Sequence, residues 1–180
     1  CYETQRNNVM GTLSLLEAVS SVVSVKAHVV VTTDKVYRNI NQVAGYVEND
    51  ALGGHDPYSS SKAMADLLTQ SWISSFPGAP TTIVRAGNVI GGGDVSKDRL
   101  MPDLMSAYMN NKVPTLRYPN SVRPWQHVLD CLNGYLMVSE SLLSGNENPI
   151  MNIGPDKESF VTVAKVAELV ASQLSVDPNW

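Results

Sequence analysis

Two short stretches carry side chains whose types and spacing could do chemistry. In Tyr58-Ser59-Ser60-Ser61-Lys62 the tyrosine and lysine stand four residues apart, which on a helix puts phenol and ammonium on one face. A nearby cation favours the phenolate and lowers a tyrosine pKa from about 10 toward neutrality, so this pair could take a proton from a hydroxyl. The lysine could hold a cofactor ribose at the same time. Alone, such a spacing also describes an ordinary surface pair. In Thr33-Asp34-Lys35 a hydroxyl, a carboxylate and an amine lie side by side, offering a hydrogen-bond donor, a proton donor and a base. Alone, that triplet also reads as a polar turn.

The elements that must position these residues can be read from periodicity. Val9, Leu13, Leu16 and Val19 recur at three- and four-residue steps, predicting a helix over 8–23. His28-Val29-Val30-Val31-Thr32 reads as a strand buried on both faces. It delivers Thr33-Asp34-Lys35 to a strand's carboxyl end, where open α/β sheets bind ligands. Residues 37–57 are polar and rich in Gly, Asn and Asp, a long loop able to fold back. A helix is expected from Tyr58 to Phe76, stopped by Pro77-Gly78, and a second buried strand over Thr81–Arg85. Residues 88–98 read as a loop with Gly91-Gly92-Gly93. Helices follow at 100–109 and 128–143, short strands at 114–117 and 150–153, and a last helix with Ser159 as its cap. Strands alternating with helices imply α/β architecture with a parallel sheet.

Composition excludes several classes. With 43% hydrophobic and 17% charged residues the chain is globular rather than disordered, and a net charge of -4 without a basic block argues against nucleic acid and anionic membranes as partners. No apolar run approaches the ~20 residues of a membrane span. Cys1 and Cys131 show neither disulfide nor zinc spacing, so a reducing, cytoplasmic setting is expected. His28, His55 and His127 are far apart, and no metal is expected. The Gly91-Gly92-Gly93 run lacks the Lys-Ser/Thr of a phosphate loop and reads as a turn.

Taken in order, Asn8-Val9-Met10-Gly11-Thr12, Thr33 at a strand end, Tyr58-x-x-x-Lys62, and the strand leading into Arg85-Ala86-Gly87-Asn88-Val89 resemble the extended short-chain dehydrogenase/reductase family. That resemblance implies a Rossmann-like doubly wound parallel sheet and NAD as cofactor. Within the family, the Thr-Asp-acid/base triplet is similar to that of sugar-nucleotide 4,6-dehydratases. The stretches Asp50–Tyr58, Gly91–Asp94 and Arg123–Val128 are similar to those dehydratases that act on CDP-glucose. Val95 departs from the pattern, where a tryptophan is expected after Gly-Gly-Gly-Asp. Lys35 stands where the dTDP-glucose enzymes have glutamate.

The resemblance implies roles by position. Tyr58 is the base for the sugar 4-hydroxyl, Lys62 binds the ribose, Thr33 hydrogen-bonds the same hydroxyl, and Asn8 lies on the helix beside the nicotinamide. Asp34 protonates the departing 6-hydroxyl. Lys35 takes the C5 proton, which requires a neutral amine, favoured by burial or by neighbouring positive charge. Asn88, Arg99, Arg123 and Asn152 match positions that hold the substrate nucleotide and its phosphates, work suited to arginine's planar fork. Surface or turn roles remain open for Arg123 and Asn152.

Residues 1–90 are expected to be the C-terminal part of the NAD-binding domain, and 91–180 mostly the nucleotide-sugar region, with elements returning to the first. The chain has no Gly-rich pyrophosphate turn. It therefore reads as a piece of a longer protein, lacking the N-terminal strands and inactive alone, from a full-length homodimer. Open alternatives are an epimerase, a dehydratase for another nucleotide, and a non-catalytic cofactor-binding regulator.

Overall fold

Strand β1 spans His28–Thr33 in the computed structural model, which describes residues 1–42, 44–146 and 149–180. Apart from His28 every residue in it is β-branched, the composition that fits a pleated, partly buried surface. Strand β2 (Thr81–Ala86) runs parallel to it, in a register that pairs Val30 with Ile83 and Thr33 with Ala86. On the far side of β2 lies β5 (Met151–Ile153), again parallel, so the order is β1-β2-β5. This is the parallel α/β arrangement that the alternating pattern implies. The core of the sheet is β2, buried from Thr82 to Ala86. One expectation changes here: β1 is not buried on both faces, and Val31 is 41% exposed. As the edge strand of this sheet, β1 has cover from one neighbouring strand only.

The first helix is longer at its start than the apolar pattern suggests. Helix α1 (Tyr2–Gln5), a π-helical stretch (Arg6–Met10) and α2 (Gly11–Ser20) follow one another without a break. Helix α3 (Pro57–Ser75) has a complete set of boundary signals. The Asp56 side chain accepts hydrogen bonds from the backbone N–H groups of Tyr58 and Ser59, and Ser59 Oγ accepts one in return from the Asp56 N–H. Pro57 occupies the first turn, where its missing N–H costs nothing. Phe76 is extended ahead of Pro77, as the residue before a proline must be.

Between β1 and α3, a 3-10 turn (Asp34–Val36) leads into a loop whose two ends are tied together. Tyr37 pairs antiparallel with Leu52, Arg38 N–H donates to the Ala51 carbonyl at 2.8 Å, and Gly53 N–H donates to the Val36 carbonyl at 2.8 Å. A small core of Val36, Tyr37 and Ala63, with Tyr46 and Leu52 against it, fills the neck. The loop is thus closed and packed by its own side chains.

The chain divides into two compact units, Cys1–Gly87 with Cys131–Ile153, and Asn88–Asp130 with Gly154–Trp180. In the second, β3 (Asn88–Ile90) pairs parallel with β4 (Val122–His127), and β4 pairs antiparallel with β6 (Phe160–Thr162). Helices α4 (Leu100–Met109) and α6 (Val163–Leu174) enclose a core of Leu104, Tyr108, Val166, Ala167, Val170 and Ala171. Helix α5 (Val128–Leu143) follows β4, and its chain passes from the second unit into the first at Cys131.

Three sequence expectations are corrected in this unit. The loop at 88–98 opens with a strand, β3. Residues 114–117 are not a strand: Pro114, which has no N–H to pair, is buried instead, and the strand comes later as β4. The cap of α6 is Thr162, whose side chain accepts from Lys165 N–H, while Ser159 lies in a 3-10 turn before β6. Among the described residues, no helix is long and apolar enough to cross a membrane.

Candidate active site

The carboxyl end of β1 turns directly into the reactive triplet. Thr33 is buried at 8% exposure, and its hydroxyl donates to Asp34 Oδ1 at 3.0 Å while accepting from Lys35 N–H at 3.4 Å. The threonine therefore caps the 3-10 turn and orients the carboxylate beside it. Lys35 is exposed, and its ammonium lies 5.7 Å from the centre of the Tyr58 ring, within range of a cation–π attraction. The long loop thus brings the strand end and the helix start together, so that a carboxylate, an amine and a phenol share one neighbourhood.

Tyr58 lies in the first turn of α3 and is 42% exposed, accessible to a ligand. Lys62, one turn on, is half-buried and donates from Nζ to the Val31 carbonyl at 3.2 Å. Burial lowers its pKa from the usual lysine value. Asn8, in the π-helical stretch, donates from Nδ2 to Ser61 Oγ at 2.8 Å, and Ser61 in turn donates to the Tyr58 carbonyl at 2.7 Å. A π-helical stretch often marks a functional position. Here it aims Asn8 at the Ser61 hydroxyl, which in turn bonds the Tyr58 carbonyl.

Behind the triplet lies a buried polar network that local sequence patterns did not reveal. Arg85 donates from Nε and Nη2 to the two carboxylate oxygens of Asp66, each at 2.8 Å, and both side chains are essentially fully buried. Asp66 also accepts from Thr32 Oγ1 and Gln70 Nε2. Arg85 Nη1 donates to Tyr37 Oη at 2.9 Å and to the Glu48 carbonyl at 2.9 Å. Tyr37 Oη donates to Asn152 Oδ1 at 2.6 Å. The one available signal is Arg85 itself, a charge inside the apolar run Thr-Thr-Ile-Val-Arg, which demands a buried partner.

The four residues matched to substrate contacts fall in different units. Asn152 belongs to β5 of the first, with its side chain bound at both ends: Nδ2 donates to the Tyr46 carbonyl at 3.1 Å, and Oδ1 accepts from Tyr37. Asn88 is half-buried at the start of β3, paired with Trp125. Arg99, just before α4, and Arg123, opposite Val161 in the β4–β6 pair, are exposed. All three lie in the second unit, as does Val95, 89% exposed. Among the described residues, no cluster of His, Cys, Asp and Glu could hold a metal ion.

Several known proteins that this chain is similar to are sugar-nucleotide enzymes. The chain is 43% identical to the CDP-glucose 4,6-dehydratase of Salmonella typhimurium, over 99% of the chain and 52% of that protein. It is 31% identical to the dTDP-D-glucose 4,6-dehydratase of Dictyostelium discoideum, over 88% of the chain and 38% of that protein. Its fold superposes with a TM-score of 0.84 on the crystal structure of dTDP-glucose 4,6-dehydratase from Bacillus anthracis in complex with NAD, at 28% identity, covering 96% of this chain and 53% of that one. The chain therefore spans about half the length of the Salmonella protein or less of these relatives. Residues 2–154 match the NAD dependent epimerase/dehydratase family. The chain belongs to that NAD dependent epimerase/dehydratase family.

Proposed function

We propose that the full-length protein carrying this chain is an NAD-dependent nucleotide-sugar 4,6-dehydratase, a lyase of deoxysugar synthesis whose substrate is CDP-glucose. The observation that carries this reading is the placement of the Thr33-Asp34-Lys35 turn against Tyr58, with the Lys35 ammonium over the phenol ring. An oxidation needs only the tyrosine and lysine of α3; elimination of water needs an acid and a base besides, and the turn supplies both. The 43% identity to the Salmonella CDP-glucose enzyme supports the choice of nucleotide.

The residues fit NAD. Lys62 has three donors, of which one is spent on the Val31 carbonyl, leaving the kind of donor that a ribose diol takes. NAD, when bound there, would supply hydride-transfer chemistry between C4 and C6 of the sugar. Tyr58 takes the 4-hydroxyl proton, and Lys62, one turn along α3, binds the ribose. Thr33, held rigidly in the sheet, hydrogen-bonds the same hydroxyl. With C4 a ketone, the C5 proton becomes acidic, and Lys35, over the Tyr58 ring, is the base assigned to remove it. Asp34 protonates the leaving 6-hydroxyl, so water departs across C5 and C6 and no net oxidation remains.

Residues 1–90 serve in this reading as the C-terminal part of the cofactor domain, and 91–180 mostly as the substrate region. Asn88, Arg99 and Arg123 are the residues assigned to the nucleotide and its phosphates. The protein works in the cytoplasm as a homodimer, joined through the α3 region, where Met64 and Leu67, three residues apart on one face, are 42% and 53% exposed.

The test is product analysis with the full-length protein, NAD, and either CDP-glucose or dTDP-glucose. A 4-keto-6-deoxy sugar formed with marked preference for CDP-glucose is the expected result. Preference for dTDP-glucose would move the substrate, and a C4 epimer would replace the dehydratase by an epimerase.

A further inference from the structure

The acid and base of the elimination sit on a three-residue turn, Asp34–Val36, of which only Val36 is buried. A turn this short has little packing of its own, so its position has to be fixed from behind. The next residue, Tyr37, is 5% exposed and ends in a hydroxyl with two partners. It accepts from Arg85 Nη1 at 2.9 Å and donates to Asn152 Oδ1 at 2.6 Å. Arg85 is gripped by Asp66 through two 2.8 Å bonds, and Asp66 lies on α3 one turn beyond Lys62. One continuous set of buried hydrogen bonds therefore joins the triplet's turn to the helix of Tyr58 and Lys62, by way of β2 and β5. Directional bonds of this kind specify a single geometry, which apolar packing does less sharply.

Asn152 completes the arrangement. Its Oδ1 receives Tyr37, its Nδ2 donates to the Tyr46 carbonyl at 3.1 Å, and its backbone N–H donates to Glu48 Oε1 at 2.8 Å. Every one of these partners belongs to the loop that separates the triplet from Tyr58. The amide is committed to holding that loop, and none of these bonds points to a ligand.

We infer that Tyr37 and Asn152 are positioning residues, which set the Asp34-Lys35 turn relative to Tyr58 through the buried Arg85–Asp66 pair; this rests on the dehydratase reading. Asn152 thereby holds the site rather than the substrate nucleotide.

Tyr37→Phe and Asn152→Ala in the full-length protein test this, each measured for kcat, KM for the nucleotide sugar, and backbone hydrogen exchange. Both keep buried contacts and should fold; their melting temperatures are checked first. The expected result is a kcat lower by about tenfold or more, since small misplacements of reacting groups cost this much, with KM within about twofold of wild type. Exchange should quicken over residues 34–38 and stay unchanged over α3 and β2. A raised KM for Asn152→Ala with kcat intact would make it a substrate ligand and overturn the inference. So would an unchanged kcat with faster exchange, which is what a purely structural bond gives. If the wild-type protein forms no keto sugar, the dehydratase reading fails separately; exchange over 34–38 unaltered in Tyr37→Phe would then overturn the positioning role itself.

Discussion

At the scale of single residues, proximity was legible where it is local. Tyr58 and Lys62 are one turn apart, and Thr33, Asp34 and Lys35 are neighbours, so spacing alone set them side by side. The network of Arg85, Asp66, Tyr37 and Asn152 was not legible, because its members are brought together from β2, α3, the loop and β5. Lys62 offers a test at this scale. Burial lowers its pKa, so at pH below that lowered value both folded and unfolded chains carry the proton and the folded state bears the whole cost of desolvation. As pH rises through the folded value, the native state releases its proton before the unfolded one, and stability increases until the usual lysine pKa is passed. Lys62→Met removes the cost. The variant should lose activity yet gain on wild type in urea unfolding at neutral pH, by a margin that narrows as pH is raised. A margin independent of pH would show that burial of the charge is not what matters.

Elements were readable where their boundaries are chemically marked. Helix α3 has aspartate, proline and serine at its start and proline past its end, and α4 and α5 keep a clean apolar period. Strand β4 was missed because Pro124 interrupts it. Strands β3 and β6 have three residues each, too few to display a period. The start of α3 makes two predictions. Asp56→Ala removes acceptors for two N–H groups and should cost about 1 kcal/mol in chemical unfolding. The hydrogen bonds from Ser59 also hold the Asp56 carboxyl below the usual carboxylate pKa. Its contribution is therefore complete above that usual range and lost as pH falls through the lowered value, so variant and wild type should converge in acid. Gly54 faces the same turn, and a Cβ there would collide with the backbone nitrogen of Ser60. Gly54→Ala should then destabilise by roughly 1–3 kcal/mol and reduce turnover by displacing Tyr58. Unchanged stability and kcat would mean that the loop yields freely.

For the molecule as a whole, the parallel sheet followed from alternating strands and helices, whereas its order, β1-β2-β5, did not. That elements of the second half return to the first unit was an expectation from the family resemblance and not from periodicity: the chain returns at Cys131 and leaves again at Gly154, and nothing in local periodicity encodes which unit a helix joins. On the exposed face of α3, Met64 and Leu67 predict an oligomer. Leu67→Glu in the full-length protein should shift sedimentation from dimer to monomer, whereas an unaltered dimer would place the interface elsewhere. The dehydratase reaction turns on the path of one hydride, which CDP-glucose carrying deuterium at C4 would trace. After turnover by the full-length protein with NAD, the expected product is a 4-keto-6-deoxy sugar with the deuterium at C6. Deuterium retained at C4 in an epimerised sugar would contradict it, and the Asp34-Lys35 turn would then have no elimination to perform.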